Sequence, residues 1–281
     1  GASIRPSCKS PVSFIVHPAF TFFTKSYIII LLTSAREINM LVAYLGGIFI
    51  YQFLLSSIEK EYDTVKVLKS GDRGTVTLLR HRATHAQFIF RQFTGSADVY
   101  QKLLGLSCPH LPQILEAASE GEQVAVLEEY IQGDSLDYLL RGSLFSQRET
   151  RQIGRQLCQG LWVLHSLGAV HRDVKPENVI LRGNQAVLID FDASRIVKLE
   201  NEADTQVLGT TGFAAPEQYG IGQSDRRADI YSLGVLMNIL CTGKHPSVEL
   251  AKGRLGRIIQ KCTMISPSSR YQSVAALMEA L

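Results

Sequence analysis

HRDVKPENVI, residues 171–180, is followed by DFD at 190–192. An Asp, a Lys and an Asn crowded into one short stretch, with another Asp just beyond, are poor material for a hydrophobic core. Residues two apart in an extended loop point the same way, so Asp173 and Lys175 face one reacting centre. A carboxylate there accepts a hydroxyl proton, and an ammonium neutralises a phosphoryl group in transfer. Asn178 and Asp190 offer hard oxygen ligands suited to magnesium, which binds phosphates with few protein ligands. AVLID, 186–190, reads as a short buried strand that delivers Asp190 at its end. Phosphoryl transfer needs positioning and charge neutralisation more than covalent chemistry, and this inventory supplies both.

Outward from the loop, the chain changes character twice. DTVKVL (63–68), GTVTLLRH (74–81) and AQFIFRQF (86–93) predict strands around a Gly-containing turn. SADVYQKLLGL (96–106) has helical spacing, with Ala97, Tyr100, Leu103 and Leu104 on its apolar positions, and PQILEAA and QVAVLEEY predict two more strands. After IQGDS the pattern turns helical. Ser146 and Glu149 form a Ser-x-x-Glu capping box before an apolar face at Ile153, Leu157, Leu161 and Leu164. RADIYSLGVLMNILCTG (227–243) predicts a buried helix ended by Gly243. The fold class is therefore α+β, a strand-rich lobe followed by a helical lobe.

Residues 1–58 are unlike the rest. VSFIVHPAFTFFTKSYIIILL (12–32) is apolar but interrupted by His17 and Lys25, and MLVAYLGGIFIYQFLLSSI (40–58) carries no charge over 19 residues, near the length of a membrane span. Three readings stay open: a membrane anchor through 40–58 with the rest cytoplasmic, an amphipathic helix packed on the following domain, or, for 1–39, an upstream translation ahead of Met40. A net charge of +3 with both signs interspersed gives no basic stripe, so nucleic acid is not an expected partner. The five cysteines (8, 108, 158, 241, 262) lack CxxC spacing and read as reduced thiols.

From about residue 61 to 281 the chain resembles the eukaryotic-like Ser/Thr protein kinases, in wording most like their bacterial members. HRDVKPEN matches the catalytic loop, DFD the DFG element, GTTGFAAPE (209–217) the end of the activation segment, and ADIYSLG (228–234) the buried helix beneath the site. The resemblance implies a small antiparallel-sheet lobe over about 61–131 and a helical lobe over about 132–281. It also implies ATP and Mg2+ as cofactors and a protein substrate with a Ser or Thr acceptor. It makes Asp173 the base, Lys175 the phosphate-facing lysine, and Asn178 and Asp190 the metal ligands. His171 and Phe191 become packing residues between the lobes, and Arg172 the arginine that senses a charged activation loop, with Thr205 its phosphosite. Thr210 marks a Ser/Thr acceptor specificity, Asp229 braces the catalytic loop, and Glu217 pairs with Arg270. Nucleotide contacts fall to Gly71, Gly74 and Val76 of the glycine-rich turn, to Arg91, and to Glu129 and Ile131 of the hinge.

Four positions depart from the family's pattern. The first glycine of the glycine-rich loop is Lys69, Arg91 replaces the phosphate-binding lysine, Val99 stands where counting back from Pro109 places the helix glutamate, and Asp192 replaces the DFG glycine. The hinge alignment also puts a carboxylate, Glu128, at the gatekeeper position. A buried carboxylate needs a cation, so Arg91 and Glu128 are expected to pair across neighbouring strands in place of the lost Lys–Glu pair. The rival to an active kinase is a pseudokinase serving as a nucleotide-binding or scaffolding module, supported by Arg91 and Val99. A small-molecule kinase of related fold is a third reading.

Overall fold

The computed structural model describes residues 49–72, 74–197, 212–219 and 225–281. Thr205 and Thr210, like the stretch 12–32, lie outside these residues. A helix, α1, spans 49–61 and runs directly into β1 (Tyr62–Gly71). With β2 (Gly74–His81), β3 (Gln87–Thr94), β4 (Ile114–Glu120) and β5 (Gln123–Glu129), β1 forms a five-stranded antiparallel sheet in the order β1-β2-β3-β5-β4. The β1–β2 turn depends on Gly74. Its φ is 144°, and a Cβ there would lie 2.1 Å from the Gln92 carbonyl oxygen.

Helix α1 is part of this lobe. Tyr51 and Leu54 are buried in one apolar cluster with Leu79, Phe90, Ala118, Ala125 and Leu127 from four strands, and Gln52 donates to Glu120 at 2.5 Å. The packed-helix reading of the charge-free stretch therefore describes its residues 49–58, and the helix crosses the expected domain boundary at 58/59. Phe49, Ile50 and Phe53, on the other side of α1, are exposed. Among the described residues no helix is long and apolar enough to cross a membrane.

A six-residue helix, α2 (Asp98–Leu103), joins β3 to β4 and buries Val99, Tyr100 and Leu103. The helical lobe begins with α3 (Leu136–Leu140) after the two-residue strand β6 (Asp134–Ser135). Its centre is α4 (Gln147–Ser166), opened by the reciprocal Ser146–Glu149 box, and α5 (Arg226–Thr242), closed by Gly243 at φ 71°. Between them β7 (Ala169–Val170), β8 (Val179–Arg182), β9 (Gln185–Leu188) and β10 (Arg195–Ile196) pair in two small sheets, β10 with β7 and β6-β8-β9, which frame the 171–192 region. Helices α6 (Gly253–Cys262) and α7 (Val274–Ala280) complete the lobe. One apolar core runs from Phe93 and Tyr100 through Phe191 to Leu157, Leu233 and Leu277, so side chains of both lobes share it. Cys158 and Cys262 lie in that core, and the four described cysteines are free thiols.

Candidate active site

The 171–180 stretch leaves β7 and returns to β8 through a single 3-10 turn at Pro176–Asn178. Asp229, fully buried near the start of α5, accepts from the backbone N–H of His171 at 2.9 Å and of Arg172 at 2.8 Å. Its Oδ2 also meets His165 Nε2 at 2.8 Å. These bonds hold Arg172 at φ 69°, an uncommon conformation for a non-glycine residue. Burial alone would raise the Asp229 carboxyl, but the hydrogen bond and charge of His165, with His171, leave it below its ordinary value. Gln218, on the 3-10 turn at Pro216–Tyr219, donates to the Arg172 carbonyl at 2.9 Å and ties the end of the activation segment to the loop.

Within the loop, Lys175 Nζ lies 2.7 Å from Asp173 Oδ2, and Asn178 Nδ2 donates to both the carbonyl and Oδ2 of Asp173 at 2.9 Å. Asn178 thus spends its amide N–H groups on Asp173, which leaves its amide oxygen as the atom that could act as a ligand. Asp190 follows β9 at φ 70° and is largely buried. Burial opposes its charge, but Arg91 and then Lys69 overcome that and hold the carboxyl below its ordinary value. Phe191 packs edge-on between Tyr100 and His171, with ring centroids 5.6 Å from each. Burial pushes the His171 imidazole below its ordinary value, more than the neighbouring carboxylates raise it.

Arg91 is the hub of the sheet side of the site. Opposite Val126 on β5, it sits diagonally from Glu128 on the same face. Its Nε donates to Glu128 Oε1 at 2.7 Å, with both side chains buried. Its Nη1 lies 3.2 Å from Asp190 Oδ1 and 3.4 Å from Asp192 Oδ2. Glu128 Oε2 is buried with no hydrogen-bond partner among the described residues. Burial therefore outweighs Arg91 and raises the Glu128 carboxyl. Arg91 itself is held well above its ordinary value: burial lowers it, but Glu128 and the other neighbours overcome that.

The helix position nearest the hub differs from the expected one. Val99 is buried in the apolar core, whereas Tyr100 reaches the site. The Tyr100 hydroxyl donates to Asp192 Oδ1 at 2.6 Å and accepts from the Phe191 N–H at 3.3 Å. Counting from Pro109 misses this because one residue on an α-helix turns the side chain by about 100°. Burial and then the Asp190 charge push the Asp192 carboxyl up to about 6, against the pull of Arg91.

The hinge shows a second difference. The Glu129 side chain is engaged by Arg182 Nη1 at 2.6 Å and by the Gln113 N–H at 3.1 Å, and its backbone N–H donates to the Gln113 carbonyl at 2.9 Å. Ile131 is buried, Val76 half-buried, and Gly71 stands in open space at the β1–β2 turn. Far below the loop, Glu217 and Arg270 form a two-armed ion pair at 2.6 and 2.8 Å. Arg270 also donates to the carbonyls of Met264, Ile265 and Arg227. Sequence reading missed Tyr100, His165, Gln218 and Arg182 as parts of this network. The lone polar atom at the tip of a tyrosine on an otherwise apolar helix face was the available signal for the first.

The protein kinase domain family matches residues 62–275, and the chain belongs to that family. It is similar to serine/threonine-protein kinase D of Synechocystis, 31% identical over 223 residues that cover 70% of this chain and 43% of that protein. It is also similar to serine/threonine-protein kinase pkn2 of Myxococcus xanthus, 31% identical over 214 residues, which cover 67% of this chain and 25% of the relative. Serine/threonine-protein kinase SRK2G of Arabidopsis thaliana is 31% identical over 198 residues, 66% of this chain and 56% of that protein. The chain thus spans less than two thirds of the length of each.

Proposed function

We propose that this chain is an ATP- and magnesium-dependent kinase that phosphorylates serine or threonine hydroxyls of protein substrates. The observation that carries the reading is the Asp173–Lys175–Asn178 cluster. A carboxylate held by an ammonium and an amide is oriented to take a hydroxyl proton, and the ammonium is beside it to meet a transferring phosphoryl group. The donor set fits magnesium carried by a nucleotide: Asn178 and Asp190 would hold it through the amide and carboxylate oxygens. Among the described residues no group of three or more His, Cys, Asp or Glu side chains could hold a metal alone. That agrees with an ion bound largely through phosphates and water, which needs only one or two protein carboxylates or amides. When bound, the ion supplies charge neutralisation on the phosphates.

The chain's own residues divide the remaining work. Asp173 takes the proton of the acceptor hydroxyl. Arg91, fixed through Nε by Glu128, presents its guanidinium beside Asp190, so the positive charge of the missing lysine is kept without a helix glutamate. Phe191, between Tyr100 and His171, excludes water behind the metal-binding carboxylate.

The full chain, incubated with magnesium, labelled ATP and a generic Ser/Thr protein substrate, is expected to transfer phosphate. Asp173→Asn should slow transfer about 100-fold or more, the usual loss when a general base is removed, and Asp190→Asn should do likewise. Equal background labelling by wild type and both variants would mean a pseudokinase instead.

A further inference from the structure

In the family to which this chain belongs, the resemblance leads one to expect an ion pair from β3 to the helix beside it. That pair cannot form here, because Arg91 faces Glu128 and α2 brings no carboxylate to it. Yet α2 is still tied to the site. Tyr100, fully buried, donates to Asp192 Oδ1 at 2.6 Å and accepts from the Phe191 N–H at 3.3 Å. Asp192 Oδ2 lies 3.4 Å from Arg91 Nη1, and the Asp192 N–H points to Asp190 Oδ1 at 3.4 Å. One carboxylate, absent from the usual motif, therefore ties the 190–192 segment to both the helix and the strand, while the backbone N–H of the same residue meets Asp190.

Two further features argue that Asp192 is more than a tolerated replacement for glycine. Among the described residues, positive φ angles occur at Arg172 and Asp190 but not at Asp192. The backbone at 192 has no need of a glycine, so the side chain is free of conformational cost there. The second feature is the Tyr100 ring. It packs on Phe93 at 5.7 Å and on Phe191 at 5.6 Å, which fixes the hydroxyl in direction as well as in reach. A buried tyrosine hydroxyl needs a partner, and both of its hydrogen bonds fall on the 190–192 segment.

We infer that Tyr100 and Asp192 form a latch that fastens α2 to the metal-binding segment, replacing the strand-to-helix ion pair. Asp192 is then a positioning residue: it acts through Arg91 and Asp190 and does not touch the transferred group. The inference rests on the phosphotransfer reading for its kinetic consequences, while the latch itself is a structural statement that can be tested without turnover.

The experiment uses the full chain and four variants, each studied well below its thermal unfolding temperature. Tyr100→Phe removes one hydroxyl and keeps the ring. Asp192→Gly restores the motif's usual residue, and Asp192→Asn keeps an oxygen acceptor for Tyr100 while dropping the charge that faces Arg91. The fourth is the double variant Tyr100→Phe/Asp192→Gly. Amide hydrogen exchange over 98–103 should quicken about tenfold in Tyr100→Phe and in Asp192→Gly, as expected for losing a buried charge-assisted hydrogen bond. Asp192→Asn should recover most of that protection. In turnover, kcat should fall about tenfold in Tyr100→Phe and Asp192→Gly, with KM for ATP changed less than about threefold, and Asp192→Asn should regain part of the loss. The double variant should lose no more than about twofold beyond the worse single, because the two changes break one interaction. Exchange unchanged in Asp192→Gly, equal damage from Asn and Gly at 192, or additive losses in the double variant would each overturn the latch. If wild type transfers no phosphate, the phosphotransfer reading falls and the exchange measurements alone decide the latch.

Discussion

At the scale of single residues, the site's electrostatics are lopsided: one guanidinium serves three carboxylates. Arg91 pairs with Glu128, Asp190 and Asp192, whereas Glu128 has Arg91 as its cation and one oxygen left over. Breaking a buried pair from either end is therefore not symmetric. Arg91→Ala strands three carboxylates around an empty space and should cost about 3–5 kcal/mol of stability. Glu128→Leu leaves Arg91 its two aspartates and removes a carboxylate that burial already disfavours, so it strands no buried charge and should cost less than Arg91→Ala. Adding Glu128→Leu to Arg91→Ala should give back part of the loss. Denaturant unfolding of the three variants checks this, and a larger cost for Glu128→Leu than for Arg91→Ala would contradict it. This pair was legible in the sequence because two unusual residues, a guanidinium on one strand and a carboxylate on its neighbour, each needed a partner. Tyr100 was not legible. Three successive turns of reasoning (strand end, helix start, helix register) had to be right to within one residue on a helix of only six.

At the scale of elements, the long segments of both lobes carry local marks in the sequence, whereas the N-terminal one leaves several readings open. The capping box of α4 and the αL glycine closing α5 are local chemistry, written within four residues of the helix ends. The strands of the sheet likewise follow from alternation and turn residues. The charge-free run 40–58 carries no such mark, because lack of charge is shared by a membrane span and by a helix with one face on a sheet. Tyr51 and Leu54 face the sheet and pack residues 49–58 on it as a helix. Leu54→Ala should accordingly cost about 2–5 kcal/mol, the range for emptying a buried leucine site. A chain starting at residue 59 should lose more, since Leu55 and Ile58 also pack on the same cluster. Thermal unfolding measures both. A Leu54→Ala variant within about 0.5 kcal/mol of wild type, the level of an ordinary surface substitution, would show that α1 is an ornament on the sheet.

At the scale of the whole molecule, the two lobes share a core, and the groups that join them are titratable. Phe191 bridges Tyr100 above to His171 below, and Asp229 holds the backbone of His171 and Arg172 from beneath. Burial depresses the His171 imidazole, so the folded chain prefers it neutral while the unfolded chain protonates it near pH 6.5. Below that value the unfolded state binds the extra proton, and stability falls as pH drops towards the folded value. The Asp229 carboxyl is also depressed, which places its contribution fully above the unfolded carboxylate value of about 3.9 and removes it as pH falls further. Asp192, pushed up to about 6, and Glu128, also raised, take up their protons in the folded chain before the unfolded one and offset part of this decline as pH falls towards about 4. Acid should therefore act in two stages, a His171-driven decline beginning below about pH 6.5 that these carboxyls soften, and a steeper one below about pH 4. The stages are separable by substitution. His171→Leu should flatten the first decline, and Asp229→Asn should flatten part of the second while lowering stability at neutral pH, because three hydrogen bonds lose a charged acceptor. Unfolding free energies measured from pH 8 to pH 3 test the signs directly. A His171→Leu variant with the same slope from pH 7 to 5 as wild type would place the acid-sensitive link between the lobes elsewhere.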